Sequence, residues 1–158
     1  MINILFVCMG NICRSPSAEG FFANALKRSE YRDLVSIDSA GTHGYHVGHS
    51  PDPRAVATAQ DFDVEIGHLR ARRVSTSDFN DYDLVIAMDR SNFEDLKAIQ
   101  PRGSKASLRM MMEFHPQGQP EDVPDPYYGG MDGFNYMCKL LEAATEGLMK
   151  DVEGRLGQ

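Results

Sequence analysis

The most constraining feature of the chain lies near its start. Ile4-Leu5-Phe6-Val7 is an unbroken β-branched and aromatic run, followed by a polar turn and then Ser15-Pro16. A run with no polar alternation is the pattern of a strand covered on both faces, the interior strand of a parallel sheet. Ser as N-cap and Pro at the first helical position predict a helix directly after the turn. It should span Pro16 to about Arg28, with Ala18, Phe22, Ala25 and Leu26 on its buried side. Strand, turn and helix in that order make the first half of a βαβ unit.

The alternation continues. Leu34–Ile37 predicts a second strand, a Gly- and His-rich loop runs from Ser39 to Asp52, and Pro53–Asp61 predicts a second helix. Asp83–Met88 reads as the third strand, Ser91–Ile99 as the third helix and Ala106–Met112 as the fourth strand, with Met110-Met111-Met112 as its core. The stretch from Glu113 to Gly133 holds four of the eight prolines and predicts a long loop. Phe134, Met137, Leu141, Ala144, Leu148 and Val152 then form a helical stripe. The expected architecture is α/β: one domain over residues 1–158, a doubly wound sheet of four parallel strands flanked by helices. Ligands of such sheets sit at the carboxyl ends of the strands, which is where the turn from Cys8 to Ser15 falls.

Composition narrows the function classes. With 16 Lys+Arg against 23 Asp+Glu the net charge is −7, the opposite of what phosphate neutralisation by a nucleic-acid binder needs, so no nucleic acid is expected as partner. The first residues carry no basic flank, their apolar run stops at Cys8, and no later stretch approaches a membrane span. Three cysteines, at 8, 13 and 138, do not make a disulfide framework. These features predict a cytoplasmic protein with reduced thiols and no membrane partner. There is no Gly-Lys-Ser/Thr in the turn and no Gly-x-Gly-x-x-Gly after the first strand, which excludes a nucleoside-triphosphate P-loop and a dinucleotide fingerprint.

What the turn does contain is Cys8-Met9-Gly10-Asn11-Ile12-Cys13-Arg14-Ser15. A Cys six residues before an Arg is weak by itself. Across a strand-to-helix turn, however, successive backbone N–H groups can converge into an anion nest, here from Met9, Gly10, Asn11, Ile12, Cys13 and Arg14. The helix N-terminus adds partial positive charge and Arg14 a planar fork suited to phosphate. A thiol at the base of such a nest favours its thiolate form, the nucleophilic one. Attack on phosphorus then requires an acid for the leaving oxygen. Asp125, between Pro124 and Pro126, lies in a loop that opens at the same sheet edge; Asp122 and Asp132 are competitors, and any of the three can be a plain turn former.

The combination of Cys8-x5-Arg14-Ser15-Pro16 at the first strand with Asp125-Pro126-Tyr127-Tyr128-Gly129 late in the chain resembles the low-molecular-weight protein tyrosine phosphatases. Asp38-Ser39-Ala40-Gly41-Thr42 and Met88-Asp89-x-Ser91-Asn92 follow in that family's order, so the resemblance covers nearly the whole chain. It implies metal-independent hydrolysis of phosphotyrosine in proteins, with inorganic phosphate as product and no cofactor. By the resemblance Cys8 is the nucleophile, Arg14 the phosphate clamp and Asp125 the general acid. Ser15 would donate a hydrogen bond to the Cys8 thiolate. Asn11 would take a left-handed conformation held by Ser39 and His68, with Asp89 as a supporting residue near the pocket. Tyr45, Tyr127 and Tyr128 would line the pocket mouth.

Two relatives share the first motif. Thiol-dependent arsenate reductases relay oxidation through further cysteines in mid-chain, where this chain has none before Cys138. Protein arginine phosphatases tend to carry Thr where this chain has Ile12, and Ile12 with the Tyr127-Tyr128 pair favours a flat aromatic substrate. Tyr128-Gly129-Gly130 also departs from the Arg that follows Asp-Pro-Tyr in the members paired with bacterial tyrosine kinases. His43, His46 and His49 lack the Cys pair or helix that would align a metal cluster, and no metal is expected. Arg70, Arg72 and Arg73 read as a solvated basic face, with steering of phosphoprotein substrates as the alternative, and Asp89 as a helix N-cap. Cys13, five residues from Cys8 in a tight turn, is placed to capture an oxidised Cys8 as a disulfide.

Overall fold

The computed structural model describes residues 1–157. Its centre is a four-stranded sheet in the order β2-β1-β3-β4, with every neighbouring pair parallel. The strands are β1 (Ile2–Cys8), β2 (Val35–Gly41), β3 (Leu84–Ala87) and β4 (Ser107–Met110). The helices are α1 (Arg14–Lys27), α2 (Pro53–Asp61), α3 (Asp78–Asp81), α4 (Arg90–Ile99) and α5 (Met131–Leu156). The expected doubly wound sheet of four parallel strands flanked by helices is therefore what forms.

The apolar run of β1 is unbroken because both faces are covered. Ile4, Phe6 and Cys8 face a core shared with Phe22 of α1 and with Phe134, Leu141 and Leu148 of α5. Leu5 and Val7 point the other way, into a smaller core with Phe79 of α3 and Leu96 of α4. Successive strand side chains alternate sides, so two burial faces require every residue to be apolar. The chain goes from β1 to β2 on one side and later to β3 on the other. The carboxyl end of β1 is thus the point where the winding reverses, the usual place for a ligand crevice.

Several boundaries differ from expectation for local reasons. Helix α1 starts at Arg14, two residues before Pro16, and Cys13 rather than Ser15 is its N-cap. Pro16 still falls in the first turn, where its missing N–H costs nothing. Strand β2 runs on through Ser39 to Gly41, because its whole length pairs with β1 from Ile2↔Val35 to Cys8↔Gly41. Leu34 lies outside it, in a 3-10 turn (Arg32–Leu34). Strand β4 stops at Met110, and Met111 and Met112 pack into the core from a 3-10 turn, Met111–Phe114. The loop before α5 is correspondingly shorter at both ends, residues 115–130. The four-residue α3 carries too little pattern to be read from sequence.

Candidate active site

The site is built on the turn between β1 and α1. Its carbonyls are tied outward: Thr42 N–H donates to Cys8 O (2.9 Å), His43 N–H to Met9 O (3.0 Å) and Asp52 N–H to Ile12 O (2.9 Å), while Ser17 N–H takes Cys13 O at 3.3 Å. Among the described residues none of the N–H groups of residues 9–13 donates to a protein carbonyl. They are the donors left for an anion, at the positively polarised end of α1. Asn11 sits at φ 57°, the left-handed region that Asn tolerates and that turns the chain here. Gly41 is obligatory beside it: a Cβ there would lie 2.7 Å from Met9 O and 3.2 Å from Asn11 N.

A hydrogen-bond network surrounds Cys8. The Arg72 N–H donates to Asn11 Oδ1 (3.0 Å), which leaves Asn11 Nδ2 to donate to Ser15 Oγ (2.8 Å) and Ser39 Oγ (3.0 Å). Ser39 gives its own proton to Glu19 Oε1 at 2.7 Å. Ser15, already an acceptor, has Cys8 Sγ at 3.0 Å and the weaker Ala40 O at 3.4 Å as recipients for its proton. Its hydroxyl is thus in hydrogen-bond contact with the sulfur as well as with Asn11 and Ala40. Glu19 is the terminal acceptor of this chain. Burial pushes its carboxyl pKa up while the Ser39 bond opposes that. The helical spacing Ser15 to Glu19 (i, i+4) was the sequence signal that could have found it.

His68 does not take part. It is exposed, and the Asn11 oxygen that a histidine would hold is held instead by the Arg72 backbone, so its expected supporting role is corrected. Arg72 is not part of a solvated face either. Its Nε reaches Asp38 at 2.9 Å and its Nη1 reaches Asp78 at 3.0 Å. Burial alone would weaken its charge, and the two carboxylates more than offset that. It ties β2 to α3 and presents its own N–H to the site.

Arg14 is buried, its side chain 3% exposed. Both Nη1 protons are committed, one to Asp89 Oδ2 and one to Val123 O at 3.1 Å. Nε and Nη2 remain, the edge of the fork that a phosphate can take. Burial works against the guanidinium charge; Cys8, Asp89 and Asp125 outweigh it and raise its pKa. Asp89 thus serves both readings, because its Oδ1 also accepts Asn92 N–H at 2.7 Å as the N-cap of α4.

The competing acids separate clearly. Asp125 Oδ2 lies 3.6 Å from Arg14 Nη2, and Asp125 lines the same pocket as Cys8. Its Oδ1 accepts Tyr127 N–H at 3.0 Å, which fixes the side chain within its own turn. Asp122 is occupied by Arg90 N–H (2.9 Å), and Asp132 lies in the first turn of α5. The pocket encloses about 300 Å³ and is walled by Ile12, Tyr45, His46, Tyr127 and Tyr128 above the Cys8–Arg14 turn. Tyr127 and Tyr128 meet edge to face, 4.9 Å between centroids at 90°. His46 was missed as a wall residue. His43 stacks on Tyr45 at 5.4 Å instead of joining a cluster with His46 and His49.

Arg54 was also missed, and no local pattern announces it. It pairs with Asp52 (Nη2 to Oδ2, 2.8 Å), donates to Tyr127 O at 3.0 Å, and lies over the rings of Tyr127 and Phe134. It fastens the loop that carries Asp125 to the start of α2, whose Asp52 N–H is bonded to the Cys8–Arg14 turn. Cys13 and Cys138 are buried, and burial pushes both thiols up, that of Cys138 to about 12. Cys138 lies in the α5 core.

Comparison with known proteins gives a consistent picture. Residues 3–156 match the family described as low molecular weight phosphotyrosine protein phosphatase. A low molecular weight phosphotyrosine protein phosphatase of Schizosaccharomyces pombe is 44% identical over 152 residues, covering 96% of this chain and 97% of the relative. A protein tyrosine phosphatase from Entamoeba histolytica, solved with Hepes in the active site, superposes with a TM-score of 0.93 at 35% identity, covering 98% of each chain. A Drosophila arginine phosphatase superposes with a TM-score of 0.85 at 29% identity, over 95% of this chain and 97% of its own.

Proposed function

The chain belongs to the low molecular weight phosphotyrosine protein phosphatase family, and from that premise we propose that it hydrolyses phosphotyrosine in proteins through a phosphocysteine at Cys8. The observation that carries the reading is the convergence of Cys8, Arg14 and Asp125 on one pocket with aromatic walls. Cys8 Sγ attacks phosphorus in line. The amides of Met9 to Arg14 and the free edge of Arg14 hold the equatorial oxygens as charge builds on them, and no metal is needed for that task. Asp125 gives its proton to the tyrosine oxygen as the P–O bond breaks. In the second half Asp125 takes a proton from water, which attacks the phosphorus, releases inorganic phosphate and returns the electron pair to sulfur.

The apolar walls Ile12, Tyr45, Tyr127 and Tyr128 support a flat ring as the substrate group, and so phosphotyrosine over phosphoarginine despite the likeness to an arginine phosphatase. No helix among the described residues is long and apolar enough to cross a membrane. We place the enzyme in the cytoplasm, where its three free cysteines stay reduced. Assay of matched phosphotyrosine, phosphoserine and phosphoarginine peptides tests the activity. Turnover confined to phosphotyrosine is expected, and turnover confined to phosphoarginine would overturn the reading.

Cys8 is also the proposed redox-sensitive thiol. Peroxide oxidises it to the sulfenic acid, and Cys13, which lines the same pocket, condenses with it to a disulfide with loss of water. Burial keeps the Cys13 thiol protonated, which makes this capture slow. After peroxide and then thiol, the Cys13→Ser variant should recover activity more poorly than the parent. Equal recovery, with no loop disulfide by mass spectrometry, would make Cys13 a filler.

A further inference from the structure

A second groove of about 510 Å³ opens beside the pocket and shares three of its walls, Ile12, His46 and Tyr127. Its lining also includes His49 and Arg70, neither of which lines the first pocket. These two are held together by the backbone: Gly48 N–H donates to Ala71 O (2.8 Å) and Ala71 N–H to His49 O (2.9 Å). Arg70 is steadied by its own loop, Nη1 donating to Gly67 O (3.0 Å) and Leu69 O (2.7 Å), which leaves Nε and Nη2 for another partner. His46 is fixed against the phosphate-binding turn, its Cδ2 only 3.1 Å from where a Cβ on Gly10 would stand.

The electrostatics of this groove run against the rest of the molecule. Among the described residues no carboxylate pairs with His46, His49 or Arg70. The one acid in the groove, Asp52, is committed on both oxygens to Arg54. A chain of net charge −7 therefore presents, next to its reaction pocket, a guanidinium edge and two imidazoles that no carboxylate partners.

We propose that this groove is a subsite for an acidic side chain, an Asp or Glu within two residues of the phosphotyrosine on the substrate protein, selected by Arg70 and His49. The inference rests on the phosphotyrosine reading above and adds the class of sequence that the enzyme takes. An extended substrate advances about 3.3–3.6 Å per residue, so side chains one or two positions from the phosphotyrosine are the ones next to a groove that shares Ile12, His46 and Tyr127 with its pocket. Exposed pairs of this kind are weak and salt-screened, so the expected preference is about threefold for Glu over Gln and about fivefold for Glu over Lys at low salt.

The test measures kcat/KM for phosphotyrosine peptides carrying Glu, Gln or Lys at each of the two positions on either side, with a small aryl phosphate as control. The parent enzyme should prefer Glu on one flank. Arg70→Lys should keep that preference, Arg70→Ala should flatten it and Arg70→Glu should invert it toward Lys, with aryl phosphate turnover within about twofold throughout. Brisk but flat turnover of the peptide set overturns the subsite alone, as does a Glu preference that survives Arg70→Glu and the His49→Ala Arg70→Ala pair. Failure of every phosphotyrosine peptide, whatever its flanks, overturns the activity and the subsite with it.

Discussion

The two loops that meet over Cys8 are held in opposite ways. In the turn between β1 and α1, Cys8, Asn11, Arg14 and Ser15 are each at most 2% exposed, and carbonyls and side chains alike are tied down by residues far apart in the chain. In the loop of residues 115–130 the Asp125 side chain is 35% exposed and Tyr128 is 91% exposed. That loop hangs on a few fastenings: Val123 N–H to Met88 O, Val123 O to Arg14, Asp122 to Arg90 N–H and Tyr127 O to Arg54. A group that must stabilise charge gains from being preorganised before substrate arrives. A group that delivers a proton at the rim must let a protein-borne ring in and out. The difference is the one the proposed roles call for, and it predicts how damage in each loop should look.

The largest effect tests the buried turn. Cys8→Ser should lose at least ~10³-fold in kcat/KM on every substrate, and Arg14→Lys about 10²-fold, since a point charge cannot bridge two phosphate oxygens. Neither loss should depend on the leaving group. Near-normal rates from the Lys variant would show that charge alone suffices. Asp125→Asn should fall by about 10² for poor leaving groups and only a few-fold for good ones, measured in the burst phase. Uniform loss across leaving groups would erase the functional distinction between the loops.

A smaller effect sharpens the comparison. Arg54→Ala loosens chiefly the exposed loop, which loses its bond at Tyr127 O, so it should cost about three- to tenfold, follow the same leaving-group trend and add little in an Asp125→Asn background. Additive losses in that double variant would make Arg54 a general stabiliser. The smallest effect concerns the anchor shared by both loops. Arg54 beside Asp52 holds its carboxyl below the ordinary value of 3.8, so the ionised form stabilises the fold at neutral pH and the benefit is lost as pH falls through the lowered value. Asp52→Asn should therefore lower stability by about 1 kcal/mol or less at pH 7, with the gap closing as the pH is taken below the ordinary 3.8 and through the lowered value in denaturant titrations. A gap independent of pH would assign the loss to capping geometry instead.

What could be read from the sequence follows the same division. The apolar run of β1, Pro16 near the start of α1, the Pro53–Asp61 bounds of α2 and the Cys8-to-Arg14 turn are local patterns, and the structure has them. Contacts that join distant segments left no local trace: Arg72 reaching Asn11 in place of His68, and Arg54 clasping Tyr127. The residue type of Ser15 fits an N-cap, but Cys13 holds that position; the contact of Ser15 with Cys8 is what the family resemblance implies, and the Asn11 link that completes it leaves no local pattern. Residue chemistry alone leaves Asp125 and Asp122 as competitors; the family resemblance singles out Asp125, and the bond from Arg90 N–H occupies Asp122.

Asp89 divides its two oxygens between Arg14 and the first turn of α4. The opening of that helix and the rotamer of Arg14 are thus thermodynamically linked: whatever holds Arg14 in place also resists fraying at Asn92. Hydrogen exchange at the first amides of α4 becomes a remote gauge of anion occupancy, in a helix that no pocket-lining residue belongs to. Inorganic phosphate should slow exchange there, whereas a ligand that rests on the tyrosine rim without engaging Arg14 should leave it unchanged.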